Sequence, residues 1–250
     1  MDSLRWERRP NTTDDISIDD IVKKRVYDRF PNPDAILLRQ RRKTHLPPEQ
    51  VWLDLGANVG AFSVWACHSG AKKVYCFEPD PENFKQVQTN LQLNECSKGK
   101  VESFQNAVTW TSRPYQLYVP KNNTRDKWRH TTLPVRGRVA LTIDDLPSVG
   151  FKDFLLQHPD VTAIKMDIEG AEVEILEGMT LQDWKQTNIN YMVFEYHFDR
   201  RDDKGSFKDL ARFHSIIHTL QTYFSHVKHR SLPPTGLYSW YPPYALVFCY

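Results

Sequence analysis

Hydrophobic and polar positions change period several times along the chain. In ISIDDIVKKRVYDRF, Ile18, Ile21, Val22, Val26 and Phe30 share one face of a predicted helix, capped by Ser17 and stopped by Pro31 and Pro33. Val51–Leu55 is a short apolar run of strand character. A helix follows over Ala61–His68, then a strand over Lys73–Phe77 and a helix over 81–94 that buries Phe84, Val87 and Leu91. The pattern next predicts a third strand over 101–108, a hairpin from 115–119 and 138–143, and an apolar strand over 161–167. A helix over 170–177, ended by Gly178, and a strand over Tyr191–His197 come after it. Ser206 caps a long helix with Leu210, Phe213, Ile217, Leu220 and Phe224 inward, and strands near 224–229 and 245–250 complete the series.

Alternating strands and helices imply parallel pairing through right-handed crossovers. The expected class is α/β, an open and mostly parallel doubly wound sheet with an antiparallel last strand and its ligand site at the carboxyl ends of the strands. Residues 1–45 read as a helical extension, a lid or brace, ahead of one domain over 46–250 that carries an insert near 110–138. The 250 residues, 40% hydrophobic, suffice for one full core.

Charge changes little in this picture. Lys+Arg 33 against Asp+Glu 31 leaves a net charge of +2, too balanced for a nucleic-acid footprint over the whole surface. The sequence shows neither a signal-peptide core nor an apolar run of membrane-spanning length, so a soluble, cytoplasmic protein is expected. Cys67, Cys76, Cys96 and Cys249 are irregularly spaced and read as reduced thiols rather than a zinc ribbon or disulfide scaffold.

Polar residues gather at the predicted strand ends: Asp54, Glu78, Asn106, Asp167, Glu195 and His197. An unpaired carboxylate costs several kcal/mol to bury, so each such end meets solvent, a partner or a ligand. In DLGANVG, Gly56 and Gly60 turn the chain, while Asn58 adds a side chain where a dinucleotide loop presents bare backbone. Asp54 before the turn disfavours a diphosphate and favours the ammonium and sulfonium of S-adenosylmethionine. Glu78, about twenty residues beyond the glycines, is placed for ribose hydroxyls of either cofactor.

DLGANVG, FEPDPENF, NAV, TIDDL, IKMDIEGAEVEILEG and VFEYH, in that order, resemble the FkbM family of S-adenosylmethionine-dependent methyltransferases over about residues 51–197. The resemblance implies a class I Rossmann-like fold and methylation of hydroxyl groups, mostly of sugars and secondary metabolites. It implies further that Asp54, Gly56, Asn58 and Gly60 surround the methionine moiety and that Glu78 binds the ribose. Asn106 and Ala107 would border the adenine, and Asp167 would lie beside the methyl group.

A neutral hydroxyl must lose its proton during methyl transfer, and a positioned base is worth about 10²- to 10⁴-fold in rate. Glu195 and His197 alternate on one strand and project to one side, as Lys165 and Asp167 do on another. His197 is the leading base because an unperturbed imidazole titrates near neutrality, with Glu195 and Asp167 as alternatives. Asp167, Glu169, Glu195 and His197 have the composition of a Mg²⁺ or Mn²⁺ site, but a metal is not favoured. Glu169 gains from the helix dipole regardless of function, and Glu172, Glu174 and Glu177 read as the solvated side of that helix. Glu169 is also a candidate for substrate contact. His214 and His218 read as surface residues. The basic segments 39–45 and 121–138, the second with Trp128 and Arg129 as candidate substrate contacts, keep an RNA or nucleotide acceptor in play beside a sugar or glycan. A cofactor-binding fold without catalysis, serving as an interaction module, is the remaining alternative.

Overall fold

The computed structural model describes residues 4–27, 46–96, 99–120, 130–132, 138–140, 146–198, 206–231 and 244–250. The described residues divide into two compact units, one up to Gln105 and one from Asn106 onward. Together they bear out the expected α/β class I Rossmann-like fold, with mostly parallel strands and an antiparallel last strand.

In the first unit, strands β1 (Val51–Leu55), β2 (Lys73–Phe77) and β3 (Val101–Phe104) pair in parallel in that order, joined by the helices Ala61–His68 and Pro81–Leu93. Every β1 side chain is buried, which explains its continuous apolar run rather than an alternating one. The helix Ala61–His68 is buried on all sides except at His68. Its Phe62 packs edge-on against Trp52 and Trp65, with ring centroids 5.2 and 5.9 Å away. The next helix starts where Asp80 accepts the Asn83 N–H at 2.8 Å and Pro81 takes the first helical position.

The N-terminal segment differs from expectation. Its helix begins at Asp14, after Thr13, and runs to Ile18 before a π-helical turn over Asp19–Lys23. Ser17 is therefore inside the helix rather than its cap, and Phe30 lies outside the described residues. Ile18 is buried against Val59 and Ala61, with Trp6, Ile21 and Val22 around them.

In the second unit, β9 (Ala163–Met166) and β10 (Tyr191–His197) are parallel, and β12 (Tyr244–Cys249) runs antiparallel between β10 and β11 (Val227–Ser231). The strand expected over 101–108 breaks in two. Ala107–Thr109 forms a separate strand, β4, paired with β8 (Leu146–Gly150), which also pairs with β5 (Pro114–Tyr115). The expected hairpin is present as β6 (Tyr118–Pro120) against β7 (Arg138–Ala140). The long helix Ser206–Tyr223 buries Phe213, Ile216, Ile217 and Leu220, whereas Leu210 is exposed, contrary to its expected inward position. Trp184, Tyr196, Phe151 and Phe194 are fully buried. Two helices not anticipated from periodicity, Phe151–Gln157 and Leu181–Trp184, supply two of those rings. Among the described residues no helix is long and apolar enough to cross a membrane.

Gly178 closes the helix Glu172–Gly178, and a Cβ added there would lie 2.4 Å from the Trp110 ring. Helix propensity alone favours Ala over Gly by about 1 kcal/mol, but a rigid indole at that distance must move. Gly178→Ala is therefore expected to destabilise the protein by about 1–3 kcal/mol. Urea unfolding measures it, and a stabilised variant would contradict the steric reading.

Candidate active site

In the first unit the expected donor residues converge on the turn after β1. Gly56 (φ 77°), Asn58 (φ 53°) and Gly60 (φ 80°) are left-handed, a conformation for which glycine has no side-chain penalty and Asn a small one. Gly60 also meets the Pro81–Leu93 helix so closely that a Cβ would sit 3.3 Å from Val87 Cα. Four of the turn's N–H groups are bonded within the protein. The Gly56 and Ala57 N–H groups bond to Phe77 O (3.1 and 2.9 Å), Gly60 N–H to Ala57 O (2.8 Å), and Asn58 N–H to Glu78 Oε2 (2.7 Å).

Glu78 lies just past β2 and is 5% exposed. Its Oε1 accepts from Asp80 N–H at 3.0 Å and from Asn83 Nδ2 at 3.4 Å. Burial pushes its carboxyl up to about 8, with the neighbouring Asp80 adding to the rise and the hydrogen bonds opposing it. Asp54 is not on the lip of the turn, as the sequence suggested. It is fully buried at the end of β1, where Ser63 Oγ donates to its Oδ2 at 2.6 Å. Ser63 was missed, although a hydroxyl in the otherwise apolar run AFSVWAC is a visible signal of a buried polar partner.

In the second unit the structure gathers Asp167, Glu169, Glu195 and His197, with Glu172 beneath them. Asp167 follows β9 directly, and Glu195 and His197 share one side of β10. The chain then turns sharply through Glu169 (φ 54°) and Gly170 (φ 109°), with Thr131 Oγ1 donating to Glu169 O at 2.8 Å. Glu172 corrects the sequence reading, which put it on the solvated side of its helix. It is 0% exposed, its Oε1 accepts His197 N–H at 2.7 Å and meets His197 Nδ1 at 3.0 Å, and its Oε2 accepts Gly170 N–H at 2.8 Å. Glu174 and Glu177 do face outward, paired with Arg113 and Arg212. The available signal for Glu172 was its position at the first helical residue, where a carboxylate can reach back to a turn N–H.

With Nδ1 held by Glu172, His197 Nε2 faces Asp167 Oδ1 and Glu169 Oε2, each at 3.9 Å, and Glu195 Oε2 at 4.0 Å. Burial opposes charge on the ring, but Glu172, Glu169 and Asp167 outweigh it and raise the His197 pKa well above 6.5. The premise of an unperturbed imidazole titrating near neutrality is thereby overturned. Lys165 is buried within β9, in register with Val193. Asn106 donates its amide to Pro147 O at 3.1 Å, and Ala107 is buried in β4. His214 and His218 are exposed. Trp128, Arg129 and segment 39–45 lie outside the described residues.

The chain has counterparts among known proteins. Residues 54–225 match the model of the methyltransferase FkbM domain. "Methyltransferase 1" of Beauveria bassiana is 23% identical over 210 residues, covering 78% of this chain and 82% of that protein. The "Hexuronic acid methyltransferase AglP" of Haloferax volcanii is 25% identical over 155 residues, covering 60% of this chain and 56% of that protein. A crystal structure of "Methyltransferase FkbM" from Methylobacillus flagellatus KT aligns at 16% identity and a TM-score of 0.48, over 81% of this chain and 44% of that one. A family match over residues 54–225, well over half of the chain, identifies the protein as a methyltransferase of the FkbM family.

Proposed function

We propose that the chain transfers a methyl group from S-adenosylmethionine to a hydroxyl group of a sugar or glycan. The observation that carries the choice of donor is the state of the glycine turn. The N–H groups of Gly56, Ala57, Asn58 and Gly60 are all spent inside the protein. A diphosphate is held by unspent N–H groups at such a turn, and these four are not available to it. S-Adenosylmethionine asks for acceptors instead, for its ribose hydroxyls and its two cationic centres.

In this reading Asp54, Gly56, Asn58, Gly60 and Glu78 hold the donor. On the acceptor side, Asp167, Glu195 and His197 orient the hydroxyl, and the two carboxylates receive its proton, since the acids around His197 favour its charged form. The sulfonium is a good leaving group, so catalysis rests mainly on alignment, which can supply up to about 7–11 kcal/mol. The sugar class draws support from AglP, whose name gives hexuronic acid as what it methylates.

Two measurements test the donor reading. Asp54→Asn is expected to weaken S-adenosylmethionine at least about tenfold in calorimetry, because it removes a charge from beneath the turn that holds the donor's cationic centres; unchanged affinity would sink the assignment. Glu78 gives a pH signature. Its folded pKa of about 8 means that below that value the donor must bind to, and so draw out, the ionised carboxylate. Affinity should therefore rise with pH between 5.5 and 7, below the range where the donor's own amine titrates, by up to about tenfold per unit. Glu78→Gln should flatten that slope. For the acceptor, radiolabelled methyl transfer is expected on pooled glycans, with weak dependence on salt. Turnover on RNA that collapses as salt rises would replace the sugar reading with a nucleic-acid one.

A further inference from the structure

Two helix ends in the first unit bring two thiols together outside the candidate site. The helix Pro81–Leu93 closes in a Schellman motif, with Cys96 N–H bonded to Leu91 O at 2.9 Å and Glu95 N–H to Gln92 O at 3.1 Å. Glu95 takes the left-handed position (φ 55°) that glycine usually fills. The residue after it in such a motif is commonly apolar and packs back on the helix; here it is Cys96, fully buried. Cys67 is the penultimate residue of the helix Ala61–His68. Its carbonyl, one of those a helix end leaves without a helical donor, accepts Lys100 Nζ at 2.8 Å.

The Cys67 and Cys96 sulfurs and a ring nitrogen of His68 lie within 4.8 Å of one another. Zinc asks for four ligands where this group of described residues offers three. His68 Nε2 moreover meets Asn94 O at 3.0 Å, as a donor, since a carbonyl only accepts. Two sulfurs side by side are instead the reactants of a disulfide, in which they stand about 2 Å apart. Electrostatics single out the nucleophile. The Cys96 thiol, by donating to Cys67, draws the Cys67 pKa down to about 7; burial opposes this and the Lys100 ammonium adds to it. Cys96 is pushed up in return and keeps its proton, which Asn94 O can accept at 3.5 Å while Cys67 is neutral. Cys67 is 7% exposed and its neighbour His68 is exposed, so the pair lies one residue below the surface.

We propose that Cys67 and Cys96 are a redox-active pair that a small hydroperoxide converts to a disulfide. The Cys67 thiolate attacks one peroxide oxygen, the O–O bond breaks, and the hydroxide released takes up the proton that Cys67 gave up. The Cys96 sulfur then attacks the Cys67 sulfenic acid, the S–O bond breaks, and the departing hydroxide takes the Cys96 proton. Two thiols and one molecule of hydrogen peroxide become one disulfide and two waters, with sulfur oxidised and oxygen reduced. The bond ties the end of one helix to the end of the next, two residues from Asn94, whose amide holds both main-chain groups of Arg5. The inference is independent of the methyl donor and acceptor proposed above.

The test uses the full chain, reduced with dithiothreitol, freed of it and treated with equimolar hydrogen peroxide at neutral pH. After catalase, the chain is unfolded, alkylated with N-ethylmaleimide and mapped by mass spectrometry. A Cys67–Cys96 cross-linked peptide, lighter by two hydrogen atoms, is expected, with Cys76 and Cys249 alkylated and dithiothreitol restoring all four thiols. Cys67→Ser and Cys96→Ser, each confirmed folded by circular dichroism, should abolish the cross-link. Cys96→Ser should also leave Cys67 as a sulfenic acid that dimedone traps. A chain unfolded in urea before the peroxide should react without favouring this pair. Four alkylated thiols after peroxide, a cross-link through Cys76 or Cys249 in its place, or protection of the pair that EDTA rather than dithiothreitol reverses would each overturn the inference.

Discussion

A carboxylate removed from water must be saturated with donors, and in both units that demand shapes a turn earlier in the chain. Glu78 takes the N–H of Asn58, and Glu172 takes the N–H of Gly170. Each of those N–H groups belongs to a left-handed residue. Backbone in that region costs little at an asparagine and nothing extra at a glycine, while an unsatisfied buried carboxylate costs several kcal/mol. The second term is larger, so the acid holds the turn in its unusual shape and the turn keeps the acid supplied. The two candidate sites are consequently preorganised by the same device, one carboxylate beneath each.

The chemistry of the two sites diverges from that common base. At Glu78 the donors come entirely from backbone and an Asn amide, leaving a loop with spent N–H groups and a carboxyl held near neutrality by burial. At Glu172 one donor is an imidazole, whose far nitrogen is thereby pushed toward further acids. The first arrangement suits a ligand rich in hydroxyl donors, the second a ligand that tolerates concentrated negative charge.

Much of this was legible in the residues and some was not. Val51–Leu55, Ala61–His68, Lys73–Phe77 and Tyr191–His197 fall where periodicity put them, the first three because each is bounded by a glycine or a charge. The run over 101–108 reads as one strand but divides, since Gln105 and Asn106 break the ladder and the two halves join different sheets. Leu146–Gly150 and the helix Phe151–Gln157 escaped notice because neither is long enough to display a period. In EVEILEG three acids look alike along the chain. Which of them is buried is decided by the register of β10 against the helix, a tertiary fact that no local pattern encodes. For the same reason Ser17 reads as a cap, although Thr13 precedes the helix and Ser17 instead faces Asn58.

That last contact ties the glycine turn to the chain's first described residues. Asn58 Nδ2 reaches Ser17 Oγ at 3.4 Å, and a second line of bonds runs from Arg9 through the Asn83 amide to Glu78. Whatever ligand rearranges Asn58 or withdraws a donor from Glu78 must be felt at Ser17 and Arg9. By thermodynamic reciprocity, anything that anchors or releases residues 4–27 shifts occupancy of the turn by the same factor. Two lines of side-chain contact thus join residues 4–27 to the turn, so a substitution at Ser17 or Arg9 reaches it without lying in it.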